Sequence, residues 1–161
     1  MGKTYRYDSV VTLGDTDLTG HLNFSNIFQL QGRARDLWIR DCVDQPLPDL
    51  VGGLRLVIQE ASTRFIREFK LFDPVQVELQ FTAIESACVV MRFRCVDPRT
   101  GVLHSEGRQT LVFMNHLGHI TRMPTHWREA AHTYADFGEQ AVQDVDDQHE
   151  LGPPATPTAL H

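Results

Sequence analysis

The sequence predicts an α+β fold in which an antiparallel sheet wraps around one long central helix. Three observations point there: a period-two strand at the start, one long apolar helix after it, and then four strands separated only by short turns. A helix apolar over most of its girth and a sheet with one apolar face satisfy each other when the sheet curls around the helix.

The elements follow in order. From Thr4 to Leu13, Tyr5, Tyr7, Val11 and Leu13 alternate with Arg6, Asp8 and Thr12, the pattern of a half-buried strand. Gly14 to Gly20 is rich in Asp, Thr and Gly, a turn composition, and Asn23 is a helix N-cap type. Phe24, Ile27, Phe28, Leu30, Ala34, Leu37 and Trp38 then recur at helical spacing up to about Cys42, and Ile39 widens the stripe. Pro46, Pro48, Gly52 and Gly53 predict a loop. Strands follow at Leu54–Arg67, Val75–Ile84, Cys88–Val96 and Val102–Met114, with turns at Phe72-Asp73-Pro74, Glu85-Ser86-Ala87 and Asp97–Gly101. A short helix starts at a Thr125 cap and fades near Tyr134. The folded domain is expected over residues 1–136. Residues 137–161, with Gly152-Pro153-Pro154 and few apolar side chains, read as a disordered tail.

Composition bounds the function. The chain of 161 residues fits one domain, and 42% hydrophobic with 22% charged residues is ordinary for a globular protein. No apolar run is long enough to span a membrane, and Met1 to Tyr7 is not a secretory signal, so a cytoplasmic protein is expected. The net charge of −6 offers no field for nucleic acid. Cys42, Cys88 and Cys95 form no CxxC pair and read as reduced core thiols. His116 and His119 lack a third ligand at suitable spacing, so no metal is expected, and without GxGxxG, P-loop or GxSxG no cofactor is expected either.

The densest functional signal is Gly14-Asp15-Thr16-Asp17-Leu18-Thr19-Gly20-His21-Leu22-Asn23, a polar turn delivered to the start of the long helix. A helix N-terminus presents unpaired N–H groups and a partial positive charge, which suits an oxyanion forming on a substrate carbonyl. By position, the Phe24 amide is that donor. Gly20 suits a turn that needs positive φ or close substrate approach. His21 either orients the carbonyl or caps the helix.

This segment resembles the DxDxxGHVN motif of the 4-hydroxybenzoyl-CoA thioesterase branch of the hot-dog superfamily, and the resemblance extends more loosely from Tyr5 to about Trp127. It implies a hot-dog fold, hydrolysis of an acyl-carrier-protein or acyl-CoA thioester, and a catalytic Asp17 that either attacks the thioester carbon or activates water. It also implies a homodimer or homotetramer with sites between subunits. Tyr5-Arg6-Tyr7 and Gln31-Gly32-Arg33-Ala34-Arg35-Asp36 resemble a narrower group, the thioesterases of enediyne polyketide biosynthesis, which release a polyene chain from a carrier domain. That resemblance implies a catalytic Arg35. The chain departs from the enediyne group at Asp17, where asparagine is characteristic, and from both groups at Ile27, where tyrosine is usual.

Glu60 either faces the site or lies exposed on its strand. Arg64, Arg67, Lys70, Arg92 and Arg94 form either a rim for phosphate groups or an ordinary solvent face. Two rival functions share the fold: acyl-carrier dehydration, which needs a His and an acid on the central helix, and non-catalytic acyl-ligand binding, for which Asp17 is dispensable.

Overall fold

The computed structural model describes residues 2–138. Strand β1 (Tyr5–Val10) leads through a 3-10 turn at Leu13–Asp15 to helix α1 (Phe24–Cys42) and helix α2 (Pro46–Val51). Strands β2 (Arg55–Phe65), β3 (Pro74–Ile84), β4 (Cys88–Val96) and β5 (Leu103–Met114) follow, and helix α3 (Thr125–Thr133) comes after them. The expected tail from residue 139 onward lies outside the described residues.

The strands form one antiparallel sheet in the order β1-β3-β4-β5-β2. Its inner face is written in the alternation: Val75, Val77, Leu79 and Phe81 of β3 and Val89, Met91, Phe93 and Cys95 of β4 are all at most 1% exposed. On β3 the alternation gives out at a register shift between Phe81 and Ala83. Helix α1 lies on this inner face through Ile27, Leu30, Gln31, Ala34, Trp38 and Ile39. Trp38 meets Phe81 with ring centroids 4.7 Å apart, and Trp127 of α3 meets Phe113 edge-on at 5.9 Å, so α3 closes one end of the core.

Four expectations need correction. The segment expected as a loop at Pro46 and Pro48 contains α2, because proline is tolerated in the first helical turn, where its missing N–H has no intrahelical acceptor. The first strand stops at Val10, and the chain then bends into the 3-10 turn. Thr125 is the first residue of α3 rather than its cap, a place held by Pro124. Helix α1 is covered along one stripe, with Arg33, Asp36 and Arg40 exposed; within a single chain the sheet does not enclose it.

Candidate active site

The turn before α1 is built around Asp17. Its Oδ1 accepts hydrogen bonds from Thr19 N (2.8 Å), Thr19 Oγ1 (2.5 Å) and His21 N (3.4 Å), while Asp17 N donates to His21 O at 2.9 Å. Gly20 turns the chain at φ +77° and donates its N–H to Asp17 O. Hydrogen bonds from Thr19 hold the Asp17 carboxyl below the usual aspartate range, so it is ionised at neutral pH. Its other oxygen, Oδ2, accepts from no group among the described residues.

His21 sits beside this turn and does not cap the helix. Its Nδ1 is 2.8 Å from Thr19 Oγ1 and its Nε2 is 3.5 Å from Glu68 Oε2. Because the single Thr19 hydroxyl proton goes to Asp17, Nδ1 is the donor to Thr19. The cap is Asn23, as its residue type predicted: its Oδ1 accepts from Ser25 N at 3.1 Å, and its carbonyl accepts from Asn26 N at 2.9 Å. The Phe24 N–H, first in the helix, donates to no group among the described residues. An amide free at a helix N-terminus is the donor an oxyanion requires. The Phe24 side chain is itself 70% exposed.

Leu22, Phe24, Ile27, Phe65 and Phe69, together with the polar Arg67, Glu68 and Ser105, line a cavity of about 130 Å³ at this end of α1. Behind its wall the His104 ring stacks on Phe69, centroids 3.9 Å apart.

Arg35 lies elsewhere. It is eleven residues on from Phe24 along α1, a separation of about 16 Å at 1.5 Å per residue. Its Nε donates to Asp36 Oδ1 at 3.1 Å and its Nη1 to Gln109 Oε1 at 3.2 Å, with the side chain 17% exposed. Arg35, Asp36, Ile39, Leu50 and Leu56 line a second cleft of about 330 Å³. Asp17, Gly20, His21, Asn23 and Phe24 therefore come together in one chain, and Arg35 does not join them.

Behind Arg35 runs a buried polar chain. Gln109 Nε2 donates to Gln31 Oε1 (3.1 Å), and Gln31 Nε2 donates to Thr63 Oγ1 (3.0 Å), with Gln31 and Gln109 no more than 1% exposed. The sequence reading quotes Gln31 within a motif without giving it a role, and it passes over Gln109 and Ser105. A signal existed: in β5, Ser105 and Gln109 occupy inward positions of an alternating strand, where Leu103, Leu111 and Phe113 are apolar.

The remaining candidates disperse. Glu60 is exposed, opposite Thr110 on the outer face of the sheet. Arg64, Arg92 and Arg94 also lie on that face, paired with Glu106, Asp136 and Glu78, whereas Arg67 and Lys70 lie in the connection between β2 and β3, where Arg67 lines the cavity at the start of α1, so the five form no single rim. The three cysteines are free thiols. Among the described residues no three His, Cys, Asp or Glu side chains are grouped to hold a metal, and no helix is long and apolar enough to cross a membrane.

Comparison with known proteins places these features in context. Residues 11–131 match the model of the thioesterase-like superfamily. Among solved structures, a dynemicin thioesterase described in connection with polyene binding is similar at 28% identity and TM-score 0.78, covering 83% of this chain and 99% of its own. A 1,4-dihydroxy-2-naphthoyl-CoA thioesterase from Synechocystis superposes with TM-score 0.73 at 21% identity, over 80% of this chain and 96% of its own. A Staphylococcus aureus protein in complex with CoA gives TM-score 0.75 at 16% identity, over 88% and 93%. No curated protein sequence matches significantly.

Proposed function

Because the chain belongs to the thioesterase-like superfamily and is a thioester hydrolase of hot-dog fold, we propose that it releases a polyketide or polyene acyl chain from a phosphopantetheine thiol in cytoplasmic secondary metabolism. The arm is carried by an acyl carrier protein or is that of coenzyme A. The observation that carries this reading is the unclaimed Phe24 N–H at the start of α1, in the same turn region as the ionised Asp17 and at a cavity with apolar walls and a charged side at Arg67 and Glu68. Likeness to the dynemicin thioesterase supports the polyene class.

In the proposed reaction the thioester carbonyl oxygen points at the Phe24 amide. Asp17 acts through its free Oδ2, by either of two routes. As base it takes a proton from water while the water oxygen bonds to the carbonyl carbon; as nucleophile it bonds to that carbon itself, and water later opens the mixed anhydride. In both, negative charge builds on the carbonyl oxygen and is met by the amide and the helix dipole. Collapse breaks the C–S bond, and the departing thiolate takes up a proton.

Arg35 enters this scheme from a second copy of the chain. It is too far along α1 to serve its own Phe24, and strand β2 ends the sheet with Val57, Ile58, Phe65 and Ile66 exposed, a surface suited to pairing with its like. We therefore assign the active species as a homodimer, or a tetramer built from it.

Asp17→Asn tests the carboxylate. Turnover of an acyl-CoA or acyl-carrier thioester should fall at least about a hundredfold with thermal stability little changed. Since the Asp17 pKa is lowered, the wild-type rate should show no acidic fall-off from this group above about pH 4. One observation favours a second reading: Asp17 Oδ1 is fully occupied in holding its own turn. Near-wild-type turnover by Asp17→Asn would make Asp17 structural, with Arg35 and the helix amide orienting water. Wild-type protein that binds acyl thioesters without turning them over would favour the binding-module reading.

A further inference from the structure

The Thr19 hydroxyl stands between two groups of the Asp17 turn. Its proton goes to Asp17 Oδ1 at 2.5 Å, and its oxygen lies 2.8 Å from His21 Nδ1. Thr19 N donates to the same Oδ1 at 2.8 Å and His21 N reaches it at 3.4 Å, so three donors converge on one carboxylate oxygen. Oδ2 accepts from none among the described residues. An aspartate carboxylate turns easily about its last torsion, so donors gathered on one oxygen decide which oxygen stays free.

The turn closes without this hydroxyl. Asp17 N donates to His21 O at 2.9 Å and Gly20 N to Asp17 O at 3.1 Å, and Thr16 bridges Leu22. Asp15 shows the contrast: its carboxylate accepts from Thr12 N and Thr12 Oγ1 and completes the cap of the 3-10 turn at Leu13–Asp15. No helix begins at Asp17 or Thr19. The far end of the chain sets its direction. His21 Nε2 stands 3.5 Å from Glu68 Oε2, outside the roughly 2.7–3.2 Å of a good hydrogen bond, so the Nδ1 contact with Thr19 is the one that selects the tautomer. An Nδ1–H only donates, which leaves the Thr19 proton to Asp17.

We infer that Thr19 is a positioning residue: its hydroxyl, oriented by His21, locks Asp17 Oδ1 and leaves Oδ2 as the oxygen that works on the thioester. This rests on Asp17 being the reacting carboxylate. Thr19 itself touches no substrate in this scheme.

The test uses Thr19→Val, which keeps the shape and the backbone N–H but removes the hydroxyl, beside Thr19→Ser, which keeps the hydroxyl. On an acyl-CoA that the wild type cleaves, Thr19→Val should lower kcat about tenfold with KM little changed, and Thr19→Ser should restore most of the loss. The acid limb of the pH profile should move upward in Thr19→Val, because the Thr19 hydroxyl is the largest of the contacts that hold the Asp17 pKa down. The other charged groups around the turn, Asp15, His21, Glu68 and Lys70, are the same in both variants. A wild-type kcat in Thr19→Val, or a loss that Thr19→Ser does not restore, overturns the inference and leaves the catalytic carboxylate standing if Asp17→Asn is inactive. NMR titration of the Asp17 carboxyl carbon and the His21 ring nitrogens gives a readout without turnover. In Thr19→Val the Asp17 midpoint should rise and neutral His21 should lose its preference for Nδ1–H. Turnover retained by Asp17→Asn removes the catalytic reading; a raised midpoint and a shifted tautomer then still support the Thr19 lock on Asp17, and unmoved signals overturn it as well.

Discussion

Arg35 shows how a single charged side chain is given a fixed direction. A guanidinium only donates, so Gln109 must turn its carbonyl oxygen toward Arg35 and its amide nitrogen toward Gln31, which in turn donates to Thr63. The order of donors is therefore set from one end. Gly107 leaves the room: a Cβ there would lie 2.5 Å from Gln31 Nε2 and 2.8 Å from Thr63 Oγ1. Arg35→Ala should lower kcat at least about tenfold, the direction expected when a preorganised charge is lost. Its stability should fall only by the cost of an unpaired Gln109 oxygen, about 1–3 kcal/mol. Turnover and thermal unfolding measured on the same preparation check this, and a variant that fails to fold would assign Arg35 to the core instead. At this scale the sequence displayed the Asp17 to Asn23 turn, because contiguous residues make it. It hid Gln31, Gln109 and Thr63, which meet only after the sheet has closed over α1.

The turn between β4 and β5 is held by one element-scale device. Asp97 Oδ1 accepts from Arg99 N at 2.9 Å and Arg99 Nε at 3.1 Å, Oδ2 accepts from Arg99 Nη2 at 2.8 Å, and the Asp97 carbonyl accepts from Gly101 N at 2.7 Å. The Arg99 hydrogen bonds lower the Asp97 pKa to about 2 from the ordinary 3.8. A folded value below the unfolded one means the stabilisation is complete above about pH 4 and is lost as pH falls through about 2. Asp97→Asn should therefore unfold at a lower temperature than wild type at pH 7, with the gap closing between about pH 4 and 2; a gap that stays constant with pH would refute the assignment. The elements themselves were largely legible: β3, β4 and β5 lie within a residue of their expected limits because alternation and turn residues agree. Helix α2 was not, since proline marks a loop and a first helical turn equally well. Nor was the one-sided burial of α1, because a stripe of apolar residues does not say what will cover it.

For the whole molecule, β2 is the edge strand whose only partner among the described residues is β5, with Val57 and Ile58 39% and 48% exposed. A lysine on such an edge opposes pairing with another copy. Ile58→Lys should shift the sedimentation coefficient from dimer to monomer and reduce turnover with it, whereas a wild-type protein that sediments as a monomer at micromolar concentration would remove β2 from the interface. The same topology has a consequence for the order in which the protein forms. Strands β3, β4 and β5 are joined by short turns and pair as neighbours in sequence, so their contacts close small loops. Strand β2 is made before them but pairs with the last of the three, Phe65 reaching Ser105 and Arg55 reaching Met114. Contacts of such sequence separation are slow to form. During synthesis and refolding β2 must wait, unpaired on both sides, until β5 arrives, so the interval before that closure is when the chain is most open to pairing with a wrong partner.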